Sequence, residues 1–238
     1  MTVVADLHIH TNLSSCSSFT VEEAVRLVRA RGLRFATVTD HGDGSACAIL
    51  REALPGVVVV FGVEVTTQEG DFLVYSLDEA YVRGLGVYAG SVTELRRDAD
   101  TALVWAHPRV PQAEDWAESS TPGPEIDRVL TRVDALELFN GMMLHLADQG
   151  LVRPPYFANL RALAARHGVA LTGGSDAHEP ENFFAAWTEF EDGVETAGDF
   201  IRAIKARRVR PDYDRARHAV RVDPPLGPDS AGRAGERG

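Results

Sequence analysis

Histidines and carboxylates stand at the ends of apolar runs along this sequence. Val3–Ala5 leads into Asp6-Leu7-His8-Ile9-His10, and Phe35–Thr39 leads into Asp40-His41. The run from Val57 to Phe61 is followed closely by Glu64, and Leu103–Ala106 by His107. Ala135–Phe139 contains Glu137 and precedes Asn140, with His145 shortly after, and Val169–Thr172 precedes Asp176-Ala177-His178. Imidazole and carboxylate together suit Zn, Mn or Fe. His8 and His10 are spaced i, i+2, so on a strand both rings lie on one face and can point to one ion, and Asp176 and His178 can do the same. Glu64 has two oxygens and can bridge two ions. Two ions about 3.5–4 Å apart can clamp a phosphate during an in-line displacement. A lone histidine is more often structural. His167, just before Gly168 at a helix end, suits that end as a cation, and His218, in a basic segment, reads as surface. The other six of the eight histidines sit at or just behind strand ends, which a scatter of surface residues does not explain.

Such a set meets in space only if the strands bring their C-terminal ends together, as in an α/β barrel whose strand-end loops build the site. The elements fit that demand. Thr20-Val21-Glu22-Glu23 is a capping box, opening a helix whose Val21, Ala24, Val25 and Val28 share one face and which Gly32 ends. Helices are also expected over 46–53, 125–132, 155–167 and 196–207, with residues 78–98 mostly helical. Strands are expected at 3–6, 35–39, 57–61, 72–75, 103–106, 135–139 and 169–172. Strands alternating with helices argue for a parallel sheet, and about seven strands fit a closed barrel. There is no internal repeat. The loop from Val110 to Pro124, with Trp116, is a candidate lid.

The chain has 238 residues and a formal net charge of −11, so its overall field does not attract nucleic acid. The basic stretch from Lys205 to Arg221 reads as a solvated helix end and surface segment. Two cysteines, Cys16 and Cys47, are too few for a disulfide framework. No apolar run reaches the roughly 18 residues of a membrane span, and the N-terminus reads as a strand rather than a signal peptide. A soluble cytoplasmic protein with reduced thiols is expected. One domain is expected over 1–215, and a disordered Pro- and Gly-rich tail over 222–238.

Taken in order, these motifs resemble the PHP (polymerase and histidinol phosphatase) superfamily over roughly residues 1–210. The residues that carry the likeness are Asp6-Leu7-His8-Ile9-His10-Thr11, Thr39-Asp40-His41-Gly42, Gly62-Val63-Glu64-Val65, Ala106-His107-Pro108, Glu137-Leu138-Phe139-Asn140 and Gly174-Ser175-Asp176-Ala177-His178. The resemblance implies a distorted (β/α)7 TIM-like barrel and two or three divalent ions, Zn, Mn or Fe. It implies His8, His10, Glu64 and Asp176 as ligands of a first ion, with Glu64 bridging to a second held also by His107 and His145, and His41 and His178 on a third. Asn140 competes with His145. Where the family commonly has Ser-Asp-Gly, this chain reads Ser14-Ser15-Cys16, so Cys16 either replaces the acid as a thiolate or is a buried filler.

The chemistry that follows is hydrolysis of phosphate esters, with the metals lowering the pKa of bound water toward about 7. Arg109 is a candidate phosphate clamp because its fork fits two oxygens. Asp40 either orients His41 or protonates the leaving group, with the orienting role favoured. Substrates range from small phosphorylated metabolites and nucleotides to short oligonucleotides. The alternatives are a non-catalytic module that binds metal and a partner, and a metal hydrolase acting on a non-phosphate bond.

Overall fold

The structure is a computed structural model that describes residues 3–110 and 123–220. Trp116 with most of the candidate lid, and the tail over 222–238, lie outside the described residues. The chain runs β1 (Val3–Ala5), α1 (Val21–Arg31), β2 (Phe35–Ala36), α2 (Ser45–Ala53), β3 (Val58–Val59), β4 (Phe61–Thr67), β5 (Gly70–Ser76) and α3 (Glu79–Gly84). It continues with β6 (Thr101–Trp105), α4 (Gly123–Leu130), β7 (Ala135–Asn140), α5 (Gly141–Asp148), α6 (Pro155–His167), β8 (Ala170–Gly174), β9 (Ala186–Phe190), α7 (Ala197–Lys205) and β10 (Val209–Tyr213).

The local signals act as their chemistry requires. Thr20 Oγ1 accepts from Glu23 N at 3.2 Å while Glu23 Oε2 accepts from Thr20 N at 2.9 Å, closing the box that starts α1. Gly32 ends α1 in the left-handed conformation, with φ 64°, where a side chain would be strained. Residues 78–98 depart from the expectation: they hold only α3 and a 3-10 turn over Val92–Glu94.

The fold is mixed α/β, and the expected closed parallel barrel is not what the strand pairing forms. The strands make three sheets, β4-β5-β6-β7-β8, β1-β9-β10 and β2-β3. Parallel pairs join β2 to β3, β6 to β7 and β7 to β8, while β4-β5, β5-β6, β1-β9 and β9-β10 are antiparallel. Two features cause this. The apolar run after Pro55 does not stop at Gly62 but becomes a long hairpin strand, turning through Gln68-Glu69 into β5, with Thr67 paired to Gly70. Two-residue connections make strands antiparallel. The second feature is β9, whose alternating burial marks a half-covered strand and which pairs with β1 and β10.

Backbone hydrogen bonds still tie the sheets together where the candidate ligands lie. Thr39 N donates to Ile9 O at 2.8 Å, Glu64 N to Thr39 O at 3.1 Å, His10 N to Ala177 O at 2.9 Å and Asp176 N to His8 O at 2.7 Å. Below this layer Phe35, Tyr75, Phe190 and Phe200 are buried against one another, with the Phe190 and Phe200 centroids 4.7 Å apart. The Tyr75 hydroxyl donates to the carbonyl of Leu7, fixing the backbone one residue before His8. Removing a buried aromatic of this kind costs about 3–5 kcal/mol. Among the described residues no helix is long and apolar enough to cross a membrane.

Candidate metal centre

Glu64, in the middle of β4, is the hub. Its Oε2 lies 3.3 Å from His8 Nε2, 3.0 Å from His10 Nε2 and 3.5 Å from His41 Nε2, and its Oε1 lies 3.2 Å from His107 Nε2. Asp176 Oδ1 lies 3.4 Å from His8 Nε2, 3.3 Å from His10 Nε2 and 3.6 Å from His178 Nδ1. The Nε2 atoms of His8 and His10 are 3.1 Å apart. The His10 ring also packs between His41 and His178, at centroid distances of 4.7 and 4.4 Å.

Two imidazole nitrogens and two carboxylate oxygens thus converge on a small volume. Three buried polar atoms around it, His10 Nδ1, His41 Nδ1 and Glu64 Oε1, have no hydrogen-bond partner. Unpaired lone pairs in a buried site are costly unless something accepts them. A divalent cation fits this donor set.

The protein holds these ligands from behind. Glu137 receives His8 Nδ1 at 3.0 Å and the backbone N–H of His107 at 2.9 Å, so the far nitrogen of His8 is tied down and Nε2 faces the cluster. The Asn140 amide donates to Glu137 Oε2 at 3.0 Å and to Asp176 Oδ2 at 3.2 Å. Asp6 accepts from the backbone N–H groups of Ser175 and Phe184 at 2.8 and 2.9 Å, and burial pushes its carboxyl up to about 6. Two positions in the cluster carry backbone strain: His107 has φ 27° and Asp176 φ 52°, conformations that a side chain adopts only when its surroundings impose them. At Gly174 a Cβ would stand 2.5 Å from His8 Cβ, so only glycine lets β8 pass under that ligand.

Charge follows geometry. Burial opposes a charged His8 ring, but Asp176, Glu137 and Glu64 outweigh it and hold its pKa well above 6.5. His10 is raised likewise, its burial overcome mainly by Asp176, and His107 settles at about 9 against its own burial, through Glu64 and Asp176. Burial would raise Glu64 and Asp176, yet the histidines pull both well below the usual carboxylate range.

Of the residues expected from sequence, His8, His10, His41, Glu64, His107, Asp176 and His178 come together. His145 does not. It is exposed on α5, and its Nε2 lies 2.9 Å from the Gln149 amide nitrogen one turn on. Asn140, its competitor, is in the cluster. Asp40 also differs. Its carboxylate accepts from Thr11 N, Thr11 Oγ1 and Ser14 Oγ at 2.5, 2.6 and 2.9 Å, so it anchors the loop after β1 and does not hold the His41 ring. Ser14 Oγ then accepts from His41 N at 2.8 Å, which makes its influence on His41 indirect. Cys16 is exposed, not a core filler, and its sulfur groups with His10 and His41. His218 is buried, with Nδ1 2.8 Å from Asp148 Oδ2, rather than on the surface. Lys205, Arg210, Arg215 and Arg217 of the basic stretch all have acidic neighbours. Glu137 was legible only as part of a motif, and Asp71, close to Glu64 and His107, had no sequence signal of its own.

Two cavities flank the centre. One of about 350 Å³ is lined by His145, Asp176, His178, Arg217 and His218. The other, of about 230 Å³, is lined by His107, Arg109, Asn140, Tyr156 and Asp176.

The PHP-associated family model matches residues 158–209, the segment that carries Asp176 and His178. An uncharacterized protein of Methanocaldococcus jannaschii is 33% identical over 93 residues, which are 34% of this chain and 54% of that protein. The chain thus spans about half the length of that curated relative. Among solved structures, PsfC from Pseudomonas syringae superposes with a TM-score of 0.63 at 21% identity, covering 90% of this chain and 92% of that one. A two-domain protein of Bacteroides vulgatus containing a predicted PHP-like metal-dependent phosphoesterase gives 0.63 at 16% identity, covering 90% and 65%. A lesion-specific endonuclease of Pyrococcus furiosus gives 0.53 at 18% identity, covering 87% and 56%.

Proposed function

We propose that this chain, which shares the PHP fold and carries a PHP-associated segment, is a metal-dependent phosphoesterase acting on a small phosphorylated metabolite or nucleotide. The observation that carries this reading is the convergence of imidazoles and carboxylates on Glu64 and Asp176 between two cavities. His8, His10, Glu64 and Asp176 would hold one divalent ion. Glu64 and His107 would hold a second, and His41 and His178 a third beside Cys16. Such ions supply positive charge to a phosphoryl oxygen and make a bound water acidic enough to react near neutral pH.

The chain's own groups do the rest. Glu137 and Asn140 keep His8 and Asp176 aimed at the centre. Arg109 borders the smaller cavity next to His107, where its guanidinium can take two phosphate oxygens at once. Arg217, which pairs with Asp214, also lines the larger cavity. Cavities of this size suit a nucleotide or smaller ester better than a long polymer. Short oligonucleotides form the outer limit of the substrate range, since the chain carries a net charge of −11. Residues 1–215 are read as one unit, because β10 packs on β9 and the following turn returns to α5 through His218 and Asp148. Both cysteines are free, which suits the cytoplasm.

The test is a panel of phosphomonoesters and one bis-phosphoester, assayed with added Mn2+ or Zn2+. Turnover that disappears in Asp176→Ala is expected. Ions bound without turnover on any phosphate ester would move the weight to a metal-binding module or another hydrolytic reaction.

A further inference from the structure

We propose that Asp71 is a metal ligand, completing with Glu64 and His107 an oxygen-rich site that takes a hard divalent ion such as Mn2+. The proposal rests on the metal-centre reading above and names the ligand that reading lacks, since His145 is turned away to Gln149.

The hairpin puts Asp71 there. In the β4–β5 register Glu64 pairs with Leu73 and Thr66 with Asp71. Side chains two apart on a strand share a face, so Asp71 is the diagonal neighbour of Glu64, within reach of its carboxylate. On the other side, Ala106 N donates to the Asp71 carbonyl at 2.9 Å, and His107 follows at once. Asp71 is thus held between the two residues by backbone pairing alone. One ligand atom from each of Glu64, Asp71 and His107 lies within 4.8 Å of the others.

A second observation points to an ion. Glu64 is 1% exposed, and its Oε1, the oxygen on this side, accepts no hydrogen bond. His107 Nε2 lies 3.2 Å from it. Two carboxylates beside one imidazole repel each other unless a cation lies between them. The set also differs from its neighbour. Two carboxylates and one imidazole make a harder site than the two imidazoles and two carboxylates of His8, His10, Glu64 and Asp176, and oxygen ligands suit Mn2+ and Mg2+.

Metal-stripped protein is given one equivalent of Zn2+ and then titrated with Mn2+, following the EPR signal of free Mn2+. Wild type should take up at least one Mn2+ per chain. Asp71→Asn should weaken that uptake by roughly 100-fold or more, since removing groups that merely orient a ligand already costs about 10–100-fold. His145→Ala should bind like wild type. Asp71→His, which restores a ligand of softer kind, should regain the site with a shift toward Zn2+. Unchanged Mn2+ uptake in a folded Asp71→Asn, or its loss in His145→Ala, would overturn the role of Asp71 while leaving the metal centre standing. Wild type that takes up neither ion would overturn the metal centre itself and Asp71 with it.

Discussion

The two flanks of the His10 ring are built differently. On the His8 side two of the groups are backed: Glu137 holds His8 and the His107 backbone, Asn140 holds Asp176, and Gly174 gives His8 its room. On the His41 side the support is thin. The Nδ1 of His41 has no hydrogen-bond partner, Cys16 is exposed, and His178 Nδ1 is occupied at 2.9 Å by the carbonyl of Asp176. A backed ligand loses little freedom when an ion arrives, and an unbacked one must be ordered by it. On the proposed reading the first flank would hold its ions more tightly than the second.

The largest effect belongs to the shared carboxylates. Asp176→Asn should reduce both metal content and turnover by more than roughly 100-fold, because it removes a ligand rather than a supporting group. Glu137→Gln keeps every ligand but weakens the hold on His8, and a loss of about 10–100-fold in metal affinity is expected by competition with a chelator. Gly174→Ala should destabilise the protein by about 1–3 kcal/mol in denaturant melts and loosen the same ion, since the new methyl meets His8. Cys16→Ser and His41→Ala should leave the content of tightly bound metal unchanged and alter turnover less than Glu137→Gln does. An equal loss of tight metal from both flanks would erase the contrast between them.

The pH dependence sharpens the same contrast. The pKa of His107 is raised from 6.5 to about 9 in the folded, metal-free protein, and His8 and His10 are raised as well. The contribution of His107 to stability is full below 6.5 and is lost as pH rises through about 9, and that of His8 and His10 is likewise lost on the alkaline side. Glu64 and Asp176 are lowered from 4.5 and 3.8, so their contribution is present above those values and is lost on acidification. The metal-free protein should melt highest between about pH 5 and 6.5. Metal binding should release protons and tighten toward alkaline pH.

Much of the site was legible because strand chemistry writes it locally. The pairs His8/His10 and Asp176/His178 follow the two-residue repeat of a strand, and the capping box at Thr20 and the stop at Gly32 announce α1. What was not legible depends on pairing between strands. Asp71 gains meaning only from the β4–β5 register, and Glu137, visible in the sequence as a strand carboxylate, shows its hold on His8 only across the sheet. His145 misleads because its sequence distance from Glu137 suits a ligand, whereas α5 starts directly after β7 and Asn140 caps it by accepting from Met143 N at 3.0 Å. The ring then meets Gln149 at the rim of the larger cavity. The antiparallel pairing that departs from the expected parallel barrel was hidden for a similar reason. Val57–Phe61 reads as one buried strand, and nothing local shows that the run continues into a hairpin.

The central claim is that ions held around Glu64 and Asp176 hydrolyse phosphate esters. The most direct measurement is phosphate release from a phosphomonoester panel by protein whose metal content has been counted, before and after chelation. Two or more ions per chain, with turnover that disappears on chelation and returns with Mn2+ or Zn2+, is the predicted result. Two or more ions per chain with no phosphate released from any ester would contradict it.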